Sequence, residues 1–187
     1  MRFALYARGV VISIALSGAL APIAGCAAHR DAAEVKATLQ QRYAAYAQAI
    51  AQRDGPALSA ILAPNFEAIN ADGRSAPGAL LVRQVTSFPR DPNMHSAASI
   101  GALRLDGDKA IASVTTVLTS LRISKGVPPA HVRFVTVSDD TWVDKGGTWL
   151  YERTVANRVD AYTDGKLTLH EVRSTTPAPP ALGLPTP

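Results

Sequence analysis

Residues 43–74 read "YAAYAQAIAQRDGPALSAILAPNFEAINADGR". Tyr43, Tyr46 and Ile50 are spaced as one stripe of a helix, and Val35 and Leu39 continue that stripe toward the N-terminus. Asp31 followed by Glu34 has the form of a capping box, so one long amphipathic helix is predicted to start there. It stops near Asp54-Gly55, where Asp54 suits the cap of a second, short helix and Pro56 its first turn. Pro64 ends that helix, "NFEAIN" over 65–70 is a short strand, and Asp72-Gly73 is a tight-turn signal.

Working outward, Pro77 opens a third helix with Leu81, Val85 and Phe88 on one face, closed by Pro89. The period then changes from helical to alternating. Segments 96–105 and 109–123, across Asp106-Gly107-Asp108, read as a hairpin. "SKGVPPA" reads as a loop, and 131–143 and 148–159 form another hairpin across Asp144-Lys145-Gly146-Gly147. Residues 162–172 add one more turn and strand. Helices first and antiparallel strands after predict a single α+β domain with helices on one face of a curved sheet. Strand 109–123 carries Ile111, Val117, Leu121 and Ile123 on one face and Ala110, Ala112, Val114 and Leu118 on the other. A sheet with one wet face alternates more cleanly, so the second face is expected to be covered by the last strand or by a partner subunit.

The N-terminus is a separate matter. Residues 1–8 carry two positive charges, and residues 9–20 carry none of either sign. This is the layout of an export signal. Twelve helical residues rise about 18 Å, too little for a hydrocarbon core of about 30 Å. "IAGC" at 23–26, which holds the single cysteine, resembles the bacterial lipoprotein signal. That resemblance implies cleavage before Cys26, diacylation of its thiol and acylation of its new amine. Two or three chains make a stable anchor where one does not. An ordinary signal cut after Ala19-Leu20-Ala21 would instead leave Cys26 a free thiol, but the bond to be cut there precedes Pro22. With Ala27 after the cysteine, the resemblance implies an outer-membrane anchor facing the periplasm.

Cleavage at Cys26 removes Arg2 and Arg8 from the 19 basic side chains and leaves 15 acidic ones, a net charge of +2. No basic cluster or aromatic-interleaved basic stripe is present, so nucleic acid is a poor partner. With one cysteine, the fold must rest on a hydrophobic core. Residues 174–187 include five prolines and read as an extended, disordered tail. The expected organisation is a signal peptide over 1–25, a tether over 26–32, the domain over 33–173 and the tail.

Residues 43–74, with their tyrosine-bearing helix, "RD" before a short helix, and "ILAPNF" leading to Asp72-Gly73, are similar to the opening of the nuclear-transport-factor-2-like superfamily, in its SnoaL-like and domain-of-unknown-function branch. "DTWVDKGGTWLYER", residues 140–153, resembles that family's closing hairpin, and the likeness spans about 33–158. It implies a cone, a bent antiparallel sheet wrapped around a long helix, with a cavity at the open end and frequent homodimers through the sheet. The family contains isomerases, dehydratases, cyclases and scaffolds, so the fold does not give the function.

Its enzymes place a carboxylate base and a tyrosine or histidine donor inside the cone. The candidates for lining a pocket here are Tyr43, Tyr46, Phe66, Trp149, Tyr151 and Arg153. Glu152 and Tyr43 are the catalytic candidates. Glu152 is a base if its face points inward and a solvated strand charge if outward. Asp54 and Asp72 are better explained as cap and turn residues. His131 and Arg133 share a strand face and could bind an anion, or mark a solvated strand end. The histidines at 29, 95, 131 and 170 lack metal-ligand spacing, and no nucleotide or cofactor fingerprint occurs, so neither metal nor cofactor is expected. The expected function is non-catalytic: a membrane-tethered module binding a small apolar or amphipathic ligand or a partner protein. The alternative is a cofactor-free isomerase or dehydratase using one carboxylate and one tyrosine.

Overall fold

A computed structural model of the chain describes residues 31–124 and 126–174. The signal segment, Cys26, His29 and the proline-rich tail lie outside these residues. The long helix α1 runs Ala32–Gln52, and Asp31 caps it by accepting the N–H of Ala33 at 2.8 Å. It ends at Arg53, which takes a left-handed conformation at φ 57° and returns its guanidinium to the carbonyl of Ile50 at 3.2 Å. A carbonyl at a helix end that lacks an intrahelical partner is satisfied in this way. Helix α2 (Gly55–Ile61) follows with Asp54 as its cap, and α3 (Gly78–Ser87) begins after Pro77.

Between and after the helices come β1 (Leu62–Ile69), β2 (Ser75–Pro77), β3 (His95–Asp106), β4 (Lys109–Ser124), β5 (Val127–Lys145), β6 (Thr148–Thr163) and β7 (Lys166–Val172). They form one sheet in the order β2-β1-β6-β5-β4-β3, with β7 also on β6. The sheet is curved and mixed, and the domain is α+β as the sequence predicts.

Four details differ from the sequence reading. The pairing of β1 with β6 is parallel, because these strands are joined by a long crossover and not by a hairpin. The apolar start of β1 takes in Leu62, Ala63 and Pro64, which the proline had suggested were the end of a helix and a break. The loop expected around Pro128 and Pro129 is largely strand, and a register shift between Arg122 and Ser124 accommodates the prolines without a ladder donor. Phe88 caps α3 and is 62% exposed, so it does not extend the helix's buried face.

Helix α1 lies on the sheet, with Gln40 Nε2 donating to the carbonyl of Ala98 at 2.6 Å and Lys36 Nζ to that of Gly101 at 3.3 Å on β3. Its stripe of Val35, Leu39 and Tyr43 is buried, as are Trp142, Trp149 and Tyr151 on β5 and β6. On β4 the side facing this core carries Ala110, Ala112 and Val114, set against Trp142, Asp140 and Ser138 of β5. The two alanines leave the volume that the indole and the carboxylate fill. Strand β7 does not cover the opposite face. It extends the edge of β6 beyond the point where β1 stops.

Candidate functional site

The centre of the cone is an aromatic cluster on one buried carboxylate. The rings of Trp142 and Tyr151 stack at 4.5 Å with planes 6° apart. Tyr43 meets the indole edge-on at 5.1 Å, while Tyr46 and Phe66 meet Tyr151 at 5.5 and 5.1 Å. Asp140, 1% exposed, sits under this cluster. Tyr43 donates its hydroxyl to Asp140 Oδ2 at 2.7 Å, and Thr154 donates to Oδ1 at 2.7 Å. Trp142 Nε1 donates in turn to the Tyr43 oxygen at 2.9 Å. Each bond in such a buried chain polarises the next.

The local sequence explains how three elements reach one point. In β5, Ser138, Asp140 and Trp142 alternate onto the core side while Asp139 stays exposed. In β6 the alternation is broken on purpose: Thr141 pairs with Arg153 and Trp142 with Tyr151, so Glu152 is an extra residue, a β-bulge. After it the face switches. Tyr151 and Thr154 both reach the core, and Arg153 is exposed and 3.7 Å from Glu67.

Burial pushes the Asp140 carboxyl above its ordinary range, opposed by hydrogen bonds from Thr154, Tyr151, Tyr43 and Ser138. Burial also pushes the phenols of Tyr43, Tyr46 and Tyr151 up, and the Asp140 charge adds to the shift. Glu152 has the opposite surroundings. Lys109 Nζ donates to it at 2.6 Å and Asn65 Nδ2 at 3.2 Å, and the lysine holds its carboxyl below the ordinary range.

Of the residues singled out from the sequence, the structure brings together Tyr43, Tyr46, Phe66, Trp149 and Tyr151 in the core. Arg153 stands outside it. Glu152, in its lysine pair, does not meet Tyr43, and the carboxylate that does is Asp140. The sequence carried one signal for Asp140: in "SDDTW" only one of two adjacent aspartates can share a face with the buried tryptophan. Asp54 accepts the N–H of Ala57 and Asp72 that of Arg74, so both serve local backbone. Among the described residues no three His, Cys, Asp or Glu side chains are grouped as a metal would need, and no helix is long and apolar enough to cross a membrane.

Clefts open elsewhere among the described residues, and two of them bear on binding. One, of about 560 Å³, lies between α2, β1 and α3 and is lined by Leu62, Ala63, Pro64, Ala79 and Val82 among others. Its side chains are mainly apolar, with Arg83 and Thr86 at hand for a polar head. Gly78 keeps it close-fitting, since a side chain there would meet Leu62 Cδ1 at 3.3 Å. The other cleft lies on the far ends of β3–β6.

No protein-family model and no curated protein sequence matches the chain. Solved structures do share its fold. A nuclear transport factor 2-like superfamily protein from Salmonella enterica serovar Typhimurium LT2 aligns at a TM-score of 0.53 and 13% identity, covering 67% of this chain and 92% of that one. A scytalone dehydratase-like protein from Novosphingobium aromaticivorans DSM 12444 aligns at 0.54 and 15%, covering 82% and 96%. A type 2 hexachlorocyclohexane dehydrochlorinase aligns at 0.51 and 13%, covering 80% and 97%. At these identities the likeness is one of fold.

Proposed function

We propose that the nuclear-transport-factor-2-like fold of this chain serves as a non-catalytic binding module of the bacterial envelope, anchored through acylated Cys26 with its domain facing the periplasm. Its ligand is a small apolar or amphipathic molecule, received in the cleft between α2, β1 and α3. The observation that carries this reading is the closure of the Asp140 site. A general base must be within hydrogen-bond reach of the proton it takes. Asp140 is 1% exposed and both its oxygens already accept from the protein's own hydroxyls. The volume of the outer cleft falls within the range of small-molecule sites, about 300–1,000 Å³.

The test is a titration of the protein with the fluorescent apolar probe N-phenyl-1-naphthylamine. Saturable enhancement is expected, lost in Val82→Glu, which places a charge on the cleft wall; Val82 also packs against the edge of the core, so circular dichroism must show that this variant keeps the fold. Absence of saturation, or an unchanged response in Val82→Glu, overturns the reading. The anchor is tested separately by mass spectrometry of membrane-extracted protein. A diacylglycerol adduct on Cys26 is expected, and an unmodified N-terminus at Pro22 refutes it.

A second reading is favoured by one observation. A carboxyl raised by burial and touching a phenol is the pair that a cofactor-free isomerase or dehydratase would use. Two of the fold neighbours are named for a dehydratase and a dehydrochlorinase. This reading requires the aromatic cluster to open. It predicts that the Asp140 carboxyl carbon resonance moves when the probe binds, whereas outer-cleft binding leaves it in place.

A further inference from the structure

The face of the sheet turned away from α1 holds a cluster that the proposed binding role does not use. In β4 the residues that face the core are even-numbered, through Ala110, Ala112 and Val114, and the β4–β5 register is unbroken from Lys109 to Arg122. Thr119 and Leu121 therefore look out on the opposite side. Thr119 lies directly across from His95 of β3 on one flank and from Arg133 of β5 on the other. Leu121 lies across from His131, and Arg133 across from Tyr162 of β6. Directly opposed residues have Cβ atoms about 4.5–5.5 Å apart, so four strands set these side chains in one patch. They line a cleft of about 580 Å³.

The state of each group matters more than its presence. The Arg133 guanidinium lies over the Tyr162 ring at 5.5 Å from the centroid, and among the described residues no carboxylate pairs with it. The imidazoles of His95 and His131 have no side-chain partner among the described residues either. The nearby carboxylates are engaged elsewhere. Asp164 accepts the backbone N–H of His131 at 2.9 Å. Asp91 accepts from Ser120 and from the N–H of Asn93. Asp160 holds His170 at 2.6 Å and Arg158 at 3.2 Å. Three nitrogen-bearing side chains from two strands, flanked by Thr119 and Tyr162, thus line one cleft with no carboxylate paired to them among the described residues.

The geometry points to a binding site for a phosphate-class oxyanion in this cleft, with Arg133 as its principal contact and His95 and His131 as flanking donors. A carboxylate offers two oxygens in one plane, which suits a single fork. Donors arriving from β3 and from two positions of β5 suit a tetrahedral group with oxygens in several directions. Tyr162 backs the guanidinium from its ring face. Leu121 gives the cleft an apolar wall, so the phosphate group of a lipid and a free phosphate are both sources of the same chemistry.

The full chain, held in nonionic detergent, is titrated by ¹⁵N-resolved NMR with inorganic phosphate and, in parallel, with dihexanoyl phosphatidic acid below its micelle concentration. Saturable shifts at His95, Thr119, His131, Arg133 and Tyr162 are expected with at least one probe. Tighter binding of the phosphatidic acid assigns a lipid headgroup, and equal or weaker binding assigns a free anion. Arg133→Gln is expected to weaken the binding about tenfold, the loss of one charge-assisted bidentate contact. Arg122→Gln, on the other face of the same sheet end, is expected to change nothing. Both side chains are exposed, so neither variant threatens the fold. Linear, unsaturable shifts with both probes, or equal weakening by the two variants, overturn the proposal.

Discussion

Tyr43→Phe removes one oxygen atom, and the structure says what that costs. The hydroxyl gives a hydrogen bond to a buried carboxylate and accepts one from a buried indole. A hydrogen bond to a charged group is worth about 1.5–3 kcal/mol, and a buried donor left without a partner costs about 1–3 kcal/mol. Trp142 is 0% exposed, so no solvent reaches its nitrogen to replace the lost acceptor. The two losses share one atom and do not simply add, which puts the expected destabilisation near ~3 kcal/mol. A domain of about 140 residues has an unfolding entropy of about 0.3 kcal/mol/K, so the melting temperature should fall by about 10 °C. Thermal unfolding followed by circular dichroism measures it. A double-mutant cycle with Trp142→Phe isolates the orphaned nitrogen. The double variant should be less damaged than the sum of the single ones, because no indole N–H is then left unpaired. A fall of under about 3 °C together with an additive cycle would show that the hydroxyl does not bridge the two groups, and the account of the site would fail.

Two further outcomes follow from the same interior. Asp140 has its carboxyl raised in the folded state, so the folded state holds that proton more tightly than the unfolded one. Its contribution to stability is therefore fully present below the ordinary value of 3.8 and is lost as pH rises through the raised folded value. Compared with Asp140→Asn in urea unfolding, the wild type should lose stability across that window and run parallel above it. A difference between the two that is flat across the window refutes the shift. Arg42, on α1, has its Nε and one Nη buried without hydrogen-bond partners among the described residues, and burial lowers the pKa of its guanidinium. Arg42→Met keeps the apolar stem and removes the unpaired donors, so a gain of about 1 kcal/mol is expected. A lower melting temperature would show that the guanidinium has a partner that matters.

The outline of the fold was legible because its signals are local. The Asp31 and Asp54 caps, the 3.6-residue stripe of α1 and the glycine turn between the two tryptophan strands each depend on a few neighbouring residues. The parallel docking of β1 on β6 was not, since nothing in either strand states its partner. The site shows the same division. Tyr43 could be placed inside by its helical period, whereas Phe66 and Tyr151 were pocket candidates through the family resemblance, with the inward face of the strand left open. Glu152 could not be placed, because a single bulge shifts the alternation of β6 and the sequence "YERT" does not announce it. Asp140 was hidden for a different reason. An aspartate in a strand is ordinarily a surface charge, and only the combined reach of Tyr43 and Thr154 makes its burial tolerable.

The network at Asp140 also sets an order of events as the chain is made. Tyr43 is 97 residues before Asp140 and 99 before Trp142. Synthesis at about 5–20 residues per second leaves α1 waiting roughly 5–20 s for the strands that will cover it. The hairpins of β4, β5 and β6 need only neighbouring segments and can pair as they appear. The helix can rest on α2 and β3 before then, but Tyr43 has its hydrogen-bond partners only once β5 arrives. The first element is therefore locked to one made near the end, and a chain that stops short of β5 leaves the Tyr43 hydroxyl inside without Asp140 and Trp142.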